Sequence, residues 1–180
     1  MLTLYTEAHK KKIQQLYETT SWYGKRDQYF FQLSKQTPVE HLLLTLNPKT
    51  VLDYGSGNGL AIDKLEKLFP NIQFTKFDPF VSEHASRPST QFDLVISHRV
   101  MRSVEPKFKQ LVFEDMYNYT LKYLLIEILL YDIDNIPYKL YDDFLSKYII
   151  VDKGLSTPVL RPGSDGVDHY IANAGYLISK

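Results

Sequence analysis

The sequence predicts a three-layer α/β protein, with helices on both faces of a mostly parallel sheet. Three observations carry that expectation. An apolar strand, Thr50 to Leu52, runs through Asp53 into glycines at positions 55, 57 and 59, then into a helical pattern from Leu60 to Phe69. A second apolar strand, Ile72 to Phe77, follows and ends on Asp78. A third, Asp93 to Ser97, precedes a helical stretch from Phe108 to Tyr119 and an apolar strand from Tyr123 to Leu130. Strands and helices alternating in this way build a parallel sheet covered on both sides.

The remaining elements follow in chain order. Thr6 to Thr19 reads as a helix, and Ser21-Trp22-Tyr23-Gly24-Lys25 as a polar, aromatic link. A second helix is expected through Gln28 to Lys35. Pro38 and Glu40 open a third that ends near Leu46, where Asn47-Pro48 signals a turn. Pro137 to Lys147 is expected to be helical, with Leu140, Phe144, Leu145 and Tyr148 at helix spacing. Two last strands are expected at Tyr148 to Val151 and His169 to Ile178. The loop between them carries Pro158, Pro162, Gly163 and Gly166. The segment between Asp78 and Phe92 is short, polar and interrupted by Pro79 and Pro88. It leaves room for a short extended piece at most, so one edge of the sheet is expected to be truncated.

Length and composition fit one soluble domain over residues 1–180. Residues 1–47 form an N-terminal helical part and 48–180 the sheet core. The chain has 180 residues, 44% hydrophobic and 23% charged, with a formal net charge of zero. No basic excess points to a nucleic-acid backbone, and His9-Lys10-Lys11-Lys12 reads as a solvated helix face. There is no cysteine, which excludes disulfides, thiolate metal sites and a cysteine nucleophile. No metal site is expected. No signal peptide is evident. The longest apolar run, Tyr123 to Tyr131, is too short to cross a bilayer and contains Glu127. No membrane partner and a cytoplasmic location are expected.

The glycine loop carries the chemistry. Glycine has no side chain to hold a ligand away, and the following helix offers free N–H groups and a partial positive charge. A dinucleotide fingerprint needs a third glycine three positions after the second, and that position is Leu60. The spacing present is G-x-G-x-G, two residues after Asp53. A carboxylate there repels a pyrophosphate and suits a ligand that carries an ammonium group. A phosphate-cradling G-x-x-x-x-G-K-[ST] loop is absent.

Asp53-Tyr54-Gly55-Ser56-Gly57-Asn58-Gly59 resembles motif I of the class I S-adenosylmethionine (SAM)-dependent methyltransferases. Phe92-Asp93-Leu94-Val95-Ile96-Ser97 resembles the fourth-strand motif of that family. The resemblance covers residues 48–132. It implies a Rossmann-like α/β/α sandwich whose last strand, within Tyr170 to Ser179, runs antiparallel. It also implies SAM as cofactor, with the N-terminal helices covering it. Asp53, Tyr54, Gly55, Gly57, Asn58 and Gly59 would hold its methionine end, and Asp78 its ribose. Pro79 and Phe80 would lie near the adenine, and Ser97, His98 and Val100 would line the reacting end. An upstream Tyr-Gly segment covers the cofactor in related chains, which adds Tyr23. The trimmed layout with Asp78-Pro79-Phe80 is similar to short stand-alone methyltransferases of bacteriophage and bacteria.

In those short enzymes the turn after the strand carries an acidic residue and a Glu-His pair. Here His98-Arg99 and Arg102-Ser103 replace them. His98 is the candidate general base, since an unperturbed histidine titrates near neutrality. Glu105 is a second candidate, as a partner for Arg102 or His98. The methyl acceptor, small or macromolecular, is not identified. The Asn-Pro-Pro-Tyr and Asp-Pro-Pro-Tyr signatures of amino-group DNA methyltransferases are missing after Ile96. The altered turn keeps two alternatives open, a SAM-consuming lyase or hydrolase and a SAM-binding protein that transfers nothing.

Overall fold

In the computed structural model, residues 4–21, 23–131, 145–156, 159–162 and 168–180 are described. Helix α1 (Glu7–Thr19) starts where the Thr6 hydroxyl accepts the His9 amide. A hairpin follows, β1 (Phe30–Gln32) and β2 (Gln36–Pro38), then α2 (Val39–Leu46). The core continues with β3 (Thr50–Tyr54), α3 (Leu60–Leu68), β4 (Gln73–Phe77), β5 (Phe92–His98), α4 (Lys109–Tyr119) and β6 (Thr120–Tyr131). Strands β7 (Ile149–Leu155), β8 (Val159–Pro162) and β9 (Asp168–Ser179) complete it. Among the described residues no helix is long and apolar enough to cross a membrane.

The main sheet has the order β4-β3-β5-β6-β9-β7, with β8 also paired to β9. Strands β4, β3, β5 and β6 are mutually parallel. Strand β9 runs antiparallel between β6 and β7, as expected for the last strand. The truncated edge is also present. Strand β4 ends the sheet, and between Asp78 and Phe92 there is only a single 3-10 turn, Ser82–His84. Two apolar clusters cover the two faces. One joins Phe113 and Met116 of α4 to Leu52, Val95, Leu124 and Ile178. The other joins α2 and α3 to Val51, Leu94, Ile96, Leu125 and Leu177. Neighbouring residues of one strand serve opposite clusters, as the pleat dictates.

Two expectations need correction. Gln28 to Lys35 is not helical; it forms β1 and the turn into β2. Tyr29, Phe31 and Leu33 are buried while Phe30 is exposed, and this two-residue period is that of a strand. The segment between the last two expected strands is not only a loop, because β8 pairs with β9 over Val159–Pro162. The helix expected over Pro137 to Lys147 lies largely outside the described residues.

The hairpin crosses the face of the sheet at Gly154 and Gly175, which stand opposite each other in β7 and β9. A Cβ on Gly154 would sit 1.7 Å from the Leu33 carbonyl oxygen, and one on Gly175 2.4 Å from that of Gln32. Glycine at both positions lets backbone lie directly on backbone. Ser34 fixes the turn, donating from its amide and its hydroxyl to Asp152.

Candidate active site

At the carboxyl ends of β3, β4 and β5 lies a cavity of about 720 Å³. Ligand sites in open α/β sheets occupy this position. Its floor is the glycine loop after β3. The amides of Gly55 and Ser56 both donate to the Phe77 carbonyl, at 2.7 and 3.1 Å, which folds the loop back on the end of β4. Gly55 and Gly57 adopt φ of +84° and +57°. A Cβ would lie 2.2 Å from Val100 Cγ2 at the first and 2.5 Å from the Gly24 carbonyl oxygen at the second. The loop is therefore clamped between the turn after β5 and the link after α1. The Asn58 amide strengthens that clamp by donating to the Gly24 carbonyl.

Two acidic strand ends flank the loop. Asp78 is 3% exposed and lines the cavity. Its Oδ2 accepts the Tyr17 hydroxyl at 2.8 Å and the Gly57 amide at 3.0 Å, and its Oδ1 accepts the Phe80 amide at 2.9 Å. Burial raises its pKa, and these three bonds oppose the rise. Asp53 lies beneath the lining and is 1% exposed. The Tyr29 hydroxyl donates to its Oδ2 at 2.7 Å, while Oδ1 has no partner. Burial pushes the Asp53 carboxyl up to about 7, against the opposing pull of the Tyr29 bond.

His98 stands at the end of β5, inside a box of rings from the hairpin. It stacks on Tyr29 at 4.8 Å and 20°, and meets Phe31 edge-on at 5.4 Å. Its Nε2–H donates to the Phe30 carbonyl at 3.2 Å, and Nδ1 has no partner. Burial, with Arg99 and Arg26 nearby, pushes its pKa down to about 3. The ring is thus neutral at physiological pH and presents a lone pair at Nδ1. Opposite it in the sheet, Glu127 accepts the Gln32 amide at 2.8 Å. Burial raises Glu127 to about 7, although the Gln32 bond, Arg99 and Arg26 favour its charged form.

At another side of the cavity, Phe80 packs on Tyr5 at 5.0 Å and against the edge of His9 at 6.2 Å. The Tyr23 hydroxyl lies 2.7 Å from Ser103 Oγ, and the Tyr23 ring meets Tyr17 edge-on at 5.0 Å.

Of the residues singled out from sequence, Tyr23, Tyr54, Gly55, Gly57, Asp78, Pro79, Phe80, His98 and Val100 line this cavity. Asn58, Gly59, Ser97, Asp53 and Glu105 do not. Gly59 caps α3, Ser97 is fully buried in β5, and the Tyr54 hydroxyl is committed to Asp115 at 2.7 Å. The Glu105 carboxylate accepts the Thr6 amide at 2.9 Å and also the Thr6 hydroxyl, tying down the start of α1. Residues 1–47 contribute to the lining from Leu4 to Tyr29, and α2 contributes none. Sequence reasoning missed Tyr5, Tyr17 and Tyr29. The Ile13–Tyr17 pair, one helical turn apart on α1, was the available signal for Tyr17.

No protein-family model matches the chain, and no curated protein matches it. Solved structures do, at the level of fold. The plantazolicin methyltransferase BpumL in complex with SAH aligns with a TM-score of 0.55 and 14% identity, over 97% of this chain and 91% of that one. BamL, a second plantazolicin methyltransferase, was solved with a triazolic desmethylPZN analog and SAH. It gives 0.54 and 14%, over 94% and 90%. TehB from Haemophilus influenzae gives 0.52 and 14%, over 96% and 67%. The chain has the class I methyltransferase fold.

Proposed function

We propose that this protein binds S-adenosylmethionine and transfers its methyl group to an acceptor. The observation behind this reading is the convergence of two acidic strand ends, Asp53 and Asp78, on one glycine loop beside a cavity of about 720 Å³. That size is in the range of sites for drug-sized ligands. The residues present fit the cofactor. Asp53 Oδ1 is a buried carboxylate oxygen without a donor, suited to a cationic amine. Asp78 lines the cavity and accepts hydrogen bonds, as a ribose requires. Phe80 and Tyr5 supply aromatic surface for a base.

When bound, SAM supplies a methyl group already activated by its sulfonium, so the protein's share is binding and orientation. Gly55 and Gly57 would receive the methionine end, with Asp53 buried beneath them as its nearest acid, Asp78 the ribose, and Phe80 the adenine. His98 and Val100 would face the acceptor. With its pKa lowered to about 3, His98 is a weak proton acceptor at neutral pH. We therefore assign it an orienting role through Nδ1 and expect the acceptor to need no strong base.

Mass spectrometry of reactions with SAM tests the reading. S-adenosylhomocysteine formed only when an acceptor is supplied supports it. Methylthioadenosine or other fragments released from SAM alone would move the assignment to a lyase or hydrolase. Failure to bind SAM at millimolar concentration would remove it.

A further inference from the structure

We infer that Tyr17 of α1 occupies the place of a ribose hydroxyl on Asp78, so that the cofactor must displace it to bind fully. This inference rests on the proposed SAM reading of the same cavity. A carboxylate offers about four acceptor positions, two on each oxygen. In this structure Asp78 Oδ2 uses both of its positions, for the Tyr17 hydroxyl and the Gly57 amide. Oδ1 accepts only the Phe80 amide and keeps one position. A vicinal diol gripping a carboxylate donates one hydroxyl to each oxygen. The Gly57 amide is fixed, because its own loop is clamped against Gly24. The exchangeable donor is Tyr17.

Displacing Tyr17 disturbs more than one hydrogen bond. The link after α1 is built on the Tyr17 ring. A Cβ on Gly24 would lie 2.0 Å from Tyr17 Cε1, and Tyr23 packs on the same ring. The Gly24 carbonyl in turn holds the Asn58 amide. Release of Tyr17 therefore loosens α1 over the cavity, while the Gly24 carbonyl stays on the Asn58 amide and keeps the glycine loop in place, which makes the helix a gate whose latch is the ribose site itself. Removing the hydroxyl costs the free protein a charge-assisted hydrogen bond. The bound protein has already given that bond up, so the variant is expected to bind more tightly.

The test is calorimetric titration of wild type and Tyr17→Phe with S-adenosylhomocysteine, paired with amide hydrogen exchange of α1. Binding about tenfold tighter in Tyr17→Phe is expected. Faster exchange across Glu7–Thr19 is also expected, both in the free variant and in the ligand-bound wild type. Equal or weaker binding by Tyr17→Phe, with wild type still binding, overturns the exchange and leaves the functional reading intact. No binding by either protein removes that reading, and the exchange with it. Binding by the variant alone supports both.

Discussion

Single side chains decide whether the loop and its acids hold a nucleoside. Gly57 combines a left-handed φ with backbone 2.5 Å from any Cβ. Gly57→Val is expected to abolish SAM binding and to destabilise the fold by about 2–3 kcal/mol, read from denaturant melts. Asp78→Ala leaves the Tyr17, Gly57 and Phe80 donors without their acceptor. About 2 kcal/mol of stability should go with the SAM affinity. Glu127 gives a pH signature. Its folded pKa, about 7, lies above its unfolded value, so the native state holds the extra proton. Stability from this group is present below about pH 4.5 and is lost as pH rises through 7. Glu127→Gln removes the ionisation. Its stability advantage over wild type should grow from near zero at pH 4.5 to about 3 kcal/mol at pH 8. A difference that does not change with pH would contradict this. The glycine loop after β3, with an acid at the strand's end, was legible in the sequence because G-x-G-x-G between an apolar strand and a helical pattern marks a tight backbone turn. The neutral state of His98 was not, since it comes from rings and arginines brought together by the fold.

Among the elements, the β1–β2 hairpin was misread as a helix, and the reason is tertiary. Gln28 to Lys35 has no turn motif of a tight hairpin, and its partner strand β2 is only three residues long. Its alternating burial at Tyr29, Phe31 and Leu33 becomes meaningful only over a sheet that offers Gly154 and Gly175. Those two glycines lie more than a hundred residues downstream, beyond any local reading. Gly154→Ala should push the hairpin off the sheet and lower the melting temperature by about 4–8 °C, the equivalent of about 2 kcal/mol. When the hairpin lifts, the Tyr29 and Phe31 rings leave His98 and its burial is relieved, which outweighs loss of the Phe30 carbonyl bond, so the histidine pKa, followed by NMR, should rise toward its ordinary value. An unchanged histidine titration in that variant would show that the hairpin does not set it. The strands β3 to β6 were readable as apolar runs of ordinary length, and the helices α3 and α4 as apolar residues at helix spacing.

The whole molecule is a class I methyltransferase fold shortened at the β4 edge. There a single turn stands where Pro79 and Pro88 leave no room for more. The sheet order places Asp53, Asp78 and His98 at one end, although they are scattered along the sequence. The N-terminal segment then lies over that end through Tyr17, Tyr23 and Tyr29. A ligand that binds only the folded chain should raise its overall stability, even though α1 is released from Asp78. At a hundredfold excess over its dissociation constant, S-adenosylhomocysteine is expected to add about 2.7 kcal/mol, a rise of about 5–10 °C in melting temperature. The most direct measurement is a crystal structure grown with excess S-adenosylhomocysteine. The expected result is a nucleoside in the cavity, with its ribose on Asp78 and its amino-acid end over Gly55 and Gly57. Density for the ligand elsewhere, or a cavity that stays empty at saturating concentration, would contradict the account.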